Sequence, residues 1–343
     1  MKYRRFGRTG LFVSPLALGT IGFGKANLGE SITQAEADRM VAAAIDMGVN
    51  LFDTSNVYGG GQAEGMLGRA LGGRRKDVLV SSKVHARKGP GPNDVGQSRV
   101  HLMRALEDSL RALDTDWIDL YQIHQFDPLT PFEDLLRTLD DAVRQGKVRY
   151  IGCSNLLAWQ VMKASKVAAL HGLEEFVSVQ AYYSPAGRDI ERELVPLIVD
   201  QQLALLAYSP LAGGLLTGQI TRQRKPDSTT RRGKTNFPPV DMERGYKLID
   251  TLLEIGSGHD ATVAQVALAW LIAQPHLSSA LIGADNLQQL QSNLRAAELK
   301  LSSEELAQIE AVSRLPREYP SWATDLSAPR TPIENPPGKG GSA

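Results

Sequence analysis

Asp53, Tyr58, Lys83 and His124 are residue types that together can move a proton. A phenol near pKa 10 is too weak an acid to work alone at neutral pH. A neighbouring lysine ammonium stabilises the phenolate and lowers that pKa, and an aspartate paired with the lysine keeps it charged and aimed. A histidine can hydrogen-bond an oxygen that gains charge, orient it and share the transfer. The set suits a carbonyl that accepts hydride at carbon and a proton at oxygen, and it predicts a basic shoulder in the pH profile well below the pKa of free tyrosine. Taken singly, each residue has a plainer reading. Asp53 in LFDTS suits a turn cap, Tyr58 a loop aromatic, and His124 a satisfied core histidine.

What sets the four apart is where they fall. Short apolar runs at Leu16–Leu18, Asn50–Phe52, Val78–Ser82, Ile118–Ile123, Tyr150–Gly152, Val177–Gln180, Leu203–Ala207 and Ser279–Ile282 read as buried strands. Helix-period stretches lie between them, such as Ala35–Met47 and Val100–Leu113. Thr33 with Glu36 reads as a capping box, and Gly48 as the glycine after the helix. Eight such units predict an α/β protein with a closed parallel (β/α)8 barrel, a TIM barrel; an open doubly wound sheet is the alternative. Lys2–Val13, turning at Gly7–Gly10, reads as an N-terminal β-hairpin that plugs the barrel bottom. Asp53, Tyr58, Lys83, His124, Ser154, Asn155, Gln180, Tyr208 and Gly283 then all fall at C-terminal strand ends, where barrels carry their chemistry.

The chain has 343 residues, 42% hydrophobic and 22% charged, with 38 basic and 38 acidic side chains. Such balance leaves no global field for nucleic acid or an anionic membrane. One cysteine, Cys153, points to a reducing compartment and reads as a small buried strand residue. MKYRRFGRTG lacks the apolar run of a signal peptide, and no stretch reaches membrane-spanning length, so the expected location is cytoplasmic. Residues 218–239 are polar and basic and read as a long surface loop. A single domain is expected over 1–327, with a flexible tail at 328–343.

The segments RRFGRTGLFVSPLALGTIGFG, GVNLFDTSNVYGGGQAEGMLGRAL, DLYQIHQFD, GKVRYIGCSN, VQAYYSP and LLAYSPLAGGLLTG resemble, in order and spacing, those of the aldo-keto reductases. The resemblance runs from about Met1 to Trp322 and is strongest to the bacterial and fungal aldehyde-reductase and aryl-alcohol-dehydrogenase-like branch. It implies NAD(P)H-dependent reduction of an aldehyde or ketone, with Asp53, Tyr58, Lys83 and His124 as the catalytic tetrad. It also implies that Ser154, Asn155 and Gln180 hold the nicotinamide carboxamide and that Tyr208 stacks on the ring. Gly19, Thr20 and Ile21 would contact the cofactor after the first strand. Ser209, Pro210, Leu211, Gly213 and Gly218 would line its pyrophosphate, and Arg231 and Arg232 in the basic loop would clasp it. Gly283, Ala284, Asp285, Gln289 and Asn293 match contacts at the adenosine end.

There the pattern breaks. Asp285 stands where a basic residue is common, Ser292 where glutamate is, and Gln219 where lysine is. A carboxylate repels a 2′-phosphate and suits a free ribose, so Asp285 pulls toward NAD(H) while the family leans to NADP(H). NADP(H) is kept ahead. Gly59–Gly65, GTIGFG and Gly233-Lys234-Thr235 imitate dinucleotide or phosphate loops without their full pattern, and six histidines show no metal spacing. Ile21, Phe23, His85, Phe126 and Tyr319–Trp322 are expected pocket walls. The expected partner is a small carbonyl or alcohol substrate, and the chain itself a monomer or homo-oligomer. Two rival readings are a non-catalytic nicotinamide-sensing regulatory subunit and physiological oxidation of a sugar or alcohol by NAD(P)+.

Overall fold

The computed structural model describes residues 1–25, 31–226, 228 and 230–323. Eight strands close into one parallel barrel: β3 (Leu16–Gly19), β4 (Leu51–Asp53), β5 (Leu79–Val84), β6 (Ile118–Ile123), β7 (Val148–Ser154), β8 (Phe176–Tyr182), β9 (Ala204–Tyr208) and β10 (Leu277–Ile282), with β10 returning to pair with β3. Each of the eight apolar runs forms one strand. The fold is a (β/α)8 barrel, and the open sheet is excluded.

β1 (Arg4–Arg5) and β2 (Phe12–Val13) form the antiparallel hairpin ahead of it. Phe6 and Val13 join Ala17, Leu51, Leu120, Val177, Ala204, Leu206 and Leu281 in a buried apolar cluster that fills the barrel floor. Gly7 takes φ +55°, and a Cβ there would stand 2.8 Å from Ala204 N and Gln202 O. The hairpin therefore seats only with glycine at that turn.

Around the barrel run α1 (Gln34–Asp46), α2 (Ala63–Leu71), α3 (Arg99–Leu113), α4 (Phe132–Arg144), α5 (Ala158–His171), α6 (Leu194–Asp200), α7 (Arg231–Lys234), α8 (Met242–His259), α9 (Val263–Ala273), α10 (Leu287–Leu294) and α11 (Ser303–Ser313). Gly48 follows α1 with φ +89°, as its position predicts. The capping box at Thr33 forms only in part. Thr33 accepts from Glu36 N at 3.3 Å, but the Glu36 carboxylate accepts from Leu287 N at 2.8 Å and pairs with Arg39, tying α1 to the start of α10.

Strand alternation positions the site. In β5 the inward column reads Leu79, Ser81, Lys83, and in β6 Leu120, Gln122, His124, so each column is apolar at the floor and polar at the mouth. Residues between them, such as Val80, Tyr121 and Ile123, belong to the main core under the helices, as does Cys153 of β7.

The basic segment 218–239 is not all loop, since α7 lies within it. Met1–Ser313 is one compact unit and the chain from Arg314 another, in which the rings of Tyr319 and Trp322 sit 5.9 Å apart. The expected tail at 328–343 lies outside the described residues. No described helix is long and apolar enough to cross a membrane.

Candidate active site

Lys83 is fully buried on β5, so its ammonium has to find partners inside the protein. It uses all three of its N–H groups: on Asp53 Oδ2 at 2.5 Å, on the Thr54 carbonyl at 2.8 Å and on Tyr58 Oη at 3.3 Å. Burial alone pulls the lysine pKa down, but the Asp53 carboxylate, helped by the hydrogen bonds to Asp53 and Tyr58, outweighs it and the net direction is up. The ammonium stays charged. Because Tyr58 Oη accepts from Lys83, its own proton is free to point toward the mouth.

Tyr58 itself corrects the sequence-based expectation. Burial raises the phenol's pKa, and this outweighs the opposing pull of Lys83. The phenol is therefore held protonated above the ordinary value of 10.0, not activated below it. His124 meets the Tyr58 ring edge-on, centroids 5.8 Å apart. Burial first, then Lys83 and His85, lower its pKa to about 3, so the imidazole is neutral at ordinary pH. Its Nδ1 lies 3.5 Å from Ser55 Oγ.

Asp53 is held more firmly than the four-residue reading implied. Ser81 Oγ donates to its Oδ1 at 3.1 Å, Gln180 Nε2 donates to the same oxygen at 2.9 Å, and Gln122 Nε2 donates to Ser81 Oγ at 2.7 Å. Ser81 and Gln122 were missed. Their signal was available, since each precedes a candidate residue by two positions in a strand and so shares its face.

The residues expected to hold the carboxamide form a linked set in this structure. Ser154 Oγ donates to the Gln180 carbonyl at 3.0 Å, Asn155 Nδ2 donates to the His124 carbonyl and to Ser154 Oγ, and Tyr208 Oη donates to Asn155 Oδ1 at 2.9 Å. Tyr208 stands at the mouth with its pKa pushed up to about 12, chiefly by burial. Gly19 ends β3, Thr20 binds the Asp53 carbonyl through its N–H and hydroxyl, and Ile21 is exposed.

Past β9 the backbone turns left-handed repeatedly. Ser209 and Ala212 each have φ +50°, Gly213 +66°, Gly214 +97° and Gly218 +82°, with Pro210 and Leu211 between. Non-glycine residues there cost roughly 1–2 kcal/mol each, and such strain collects at ligand-binding sites. A Cβ on Gly213 would come within 2.3 Å of the Phe237 carbonyl, so the far end of the basic segment packs down on this turn.

Within that segment the two arginines part. Arg232 is buried, donating to the Pro238 carbonyl at 2.6 Å and to Met242 Sδ. Arg231 lies in the field of both Tyr58 and Asp285, and its buried Nε has no hydrogen-bond partner. Next to β10, a Cβ on Gly283 would meet nothing within 4 Å. Asp285 N donates to Gln289 Oε1 at 3.0 Å; Asn293, one turn further along α10, is buried, and Ala284 is partly buried against the core. A cation with a spare buried N–H, open space at Gly283 and a run of turned backbone amides fit an extended dinucleotide with an anionic middle.

Among the pocket walls expected from sequence, Phe23 is fully buried core, while Phe126 packs half-buried on Phe132. Burial pushes the Cys153 thiol far up, so it is no nucleophile. Among the described residues no group of His, Cys, Asp and Glu could hold a metal ion.

A parallel eight-stranded barrel carrying phenol, ammonium, carboxylate and imidazole at its C-terminal mouth describes a class of barrel oxidoreductases. The model of the Aldo/keto reductase family matches residues 15–314, and the chain belongs to that family. It is an oxidoreductase of a family that reduces carbonyls with a nicotinamide cofactor. It is 36% identical to the uncharacterized oxidoreductase YrpG of Bacillus subtilis, covering 91% of this chain and 96% of that one. It is 30% identical to versiconal hemiacetal acetate reductase of Aspergillus parasiticus, over 90% of this chain and 96% of the other. It is also 34% identical to a rice protein (Oryza sativa subsp. japonica) named a probable voltage-gated potassium channel subunit beta, over 91% and 96%.

Proposed function

We propose that the chain reduces an aldehyde or ketone to the alcohol, with Tyr58 handing a proton to the carbonyl oxygen. The observation that carries this is the direction of the hydrogen bond between Lys83 Nζ and Tyr58 Oη. A phenol that accepts from an ammonium has its own O–H left to give. As the carbonyl carbon is reduced, its oxygen becomes an alkoxide more basic than phenolate, so transfer from Tyr58 runs downhill even with a raised phenol pKa. Neutral His124 donates to the same oxygen and fixes its approach. Lys83 remains charged and stabilises the phenolate that the transfer leaves, and Asp53 holds Lys83 in place. When bound, a nicotinamide cofactor supplies the hydride. Ser154, Asn155 and Gln180 would orient its carboxamide and Tyr208 its ring, with Ser209, Pro210, Leu211, Gly213 and Gly218 along the pyrophosphate. Arg231 would close over it, and Gly283, Ala284, Asp285, Gln289 and Asn293 would meet the adenosine.

NADP(H) is kept ahead of NAD(H). Asp285 disfavours a 2′-phosphate, but Arg231 stands in its field and offsets that charge. The second reading is a nicotinamide-sensing regulatory subunit, which the relatives named as potassium channel subunits support. Aldehyde-dependent oxidation of NADPH and NADH by the purified chain separates the two. Sustained turnover of a simple aldehyde, faster with NADPH, is the expected result; tight binding of NADPH with no turnover across an aldehyde series would favour the sensor.

A further inference from the structure

The mechanism leaves a second histidine at the mouth, His85, without a task. β5 and β6 pair in register from Ser81 with Leu120 to Val84 with Ile123, and His124 N donates to the Val84 carbonyl at 2.9 Å. The ladder therefore delivers His85 beside His124, one strand over and about 5 Å away. Alternation from Ser81 and Lys83, whose side chains meet Asp53 inside the barrel, turns His85 to the same inner face, one layer above Lys83.

The imidazole is half-buried, and Nδ1 is wholly buried without a hydrogen-bond partner. Among the described residues the ring makes no hydrogen bond at all, so Nε2 also has its capacity left. The charged and titratable groups that face it are Asp127, His101 and His124. Asp127 is tied by Gln97 N and Thr130 Oγ1, both at 2.8 Å, and by Leu129 N at 3.0 Å. Burial lowers the pKa of His85 despite Asp127, which leaves a neutral ring with one donor and one acceptor. The Asp127 carboxylate makes this a poor place for an anion and leaves a neutral hydroxyl as the fitting ligand.

We propose that His85 binds a hydroxyl on the carbon next to the reacting carbonyl, and so selects α-hydroxy aldehydes and ketones over plain apolar ones. This rests on the reductase reading: with His124 on the carbonyl oxygen, a group one carbon away falls under the neighbouring strand.

Glycolaldehyde and propanal differ only by OH in place of CH3, and they test the assignment with saturating NADPH and free-aldehyde concentrations corrected for hydration. The wild-type kcat/KM is expected to favour glycolaldehyde by on the order of tenfold, the worth of one neutral hydrogen bond. His85→Phe should bring the ratio near one, and His85→Asn should keep most of it. A wild-type ratio near one overturns the proposal without any variant, as does an undiminished ratio in His85→Phe. If the wild type binds NADPH and reduces neither aldehyde, the reductase reading falls and takes the His85 assignment with it.

Discussion

The ammonium of Lys83 has no donor to spare, and that fixes the state of its neighbours. It is the partner that Asp53 and Tyr58 both need, and it sits where water cannot replace it. Tyr58 is therefore held as a protonated phenol. Its pKa lies above the ordinary value, so the acid is intact at neutral pH and is lost only as pH rises through that higher value. His124 is held as a neutral imidazole, a state present above about pH 3 and lost below it. With saturating cofactor, kcat/KM for an aldehyde should stay flat from about pH 5 to about pH 9.5. A descending limb with an apparent pKa near 8, and chemistry shown to be rate-limiting, would mean that Lys83 outweighs burial after all.

At the scale of elements, the site depends on strands held in register by helices that pack closely behind them. α2 and α3 meet at Gly68, where an added Cβ would stand 2.5 Å from the Leu113 carbonyl and 2.7 Å from its carbon. Backbone cannot step aside as a side-chain tip can. Alanine favours helix over glycine by about 1 kcal/mol, yet Gly68→Ala should destabilise the chain by roughly 1–3 kcal/mol because the two helices must separate. Thermal unfolding read by circular dichroism checks this, with the melting midpoint expected to fall by several degrees. An unchanged or raised midpoint would mean that the helices have room. The same closeness recurs where the Phe237 carbonyl packs on Gly213, and there it holds the far end of the segment that contains α7.

For the whole molecule, what was legible in the sequence follows the period of each element. Apolar runs of strand length gave all eight strands, and the polar residues ending them gave the mouth. The spacing of those runs could also place Asp53, Lys83 and His124 at the ends of neighbouring strands, with Tyr58 in the loop after Asp53. The sequence could not tell which way Tyr58 shifts, because that depends on how deeply the barrel buries the phenol. It also could not separate Arg231 from Arg232, adjacent on one short helix, where one turns into its own loop and the other toward Tyr58. Nor does local pattern show Gln180 reaching Asp53 across 127 positions of chain. Such facts belong to tertiary packing.

Tyr58 is proposed to supply the proton at a site that otherwise binds cofactor and substrate normally. This is tested by steady-state reduction of one simple aldehyde by the wild type and by Tyr58→Phe, with NADPH affinity measured by fluorescence titration on both. The expected result is a loss of about 10²-fold or more in kcat with NADPH affinity within a few-fold of wild type. A Tyr58→Phe enzyme that keeps most of its kcat while binding NADPH normally would contradict it.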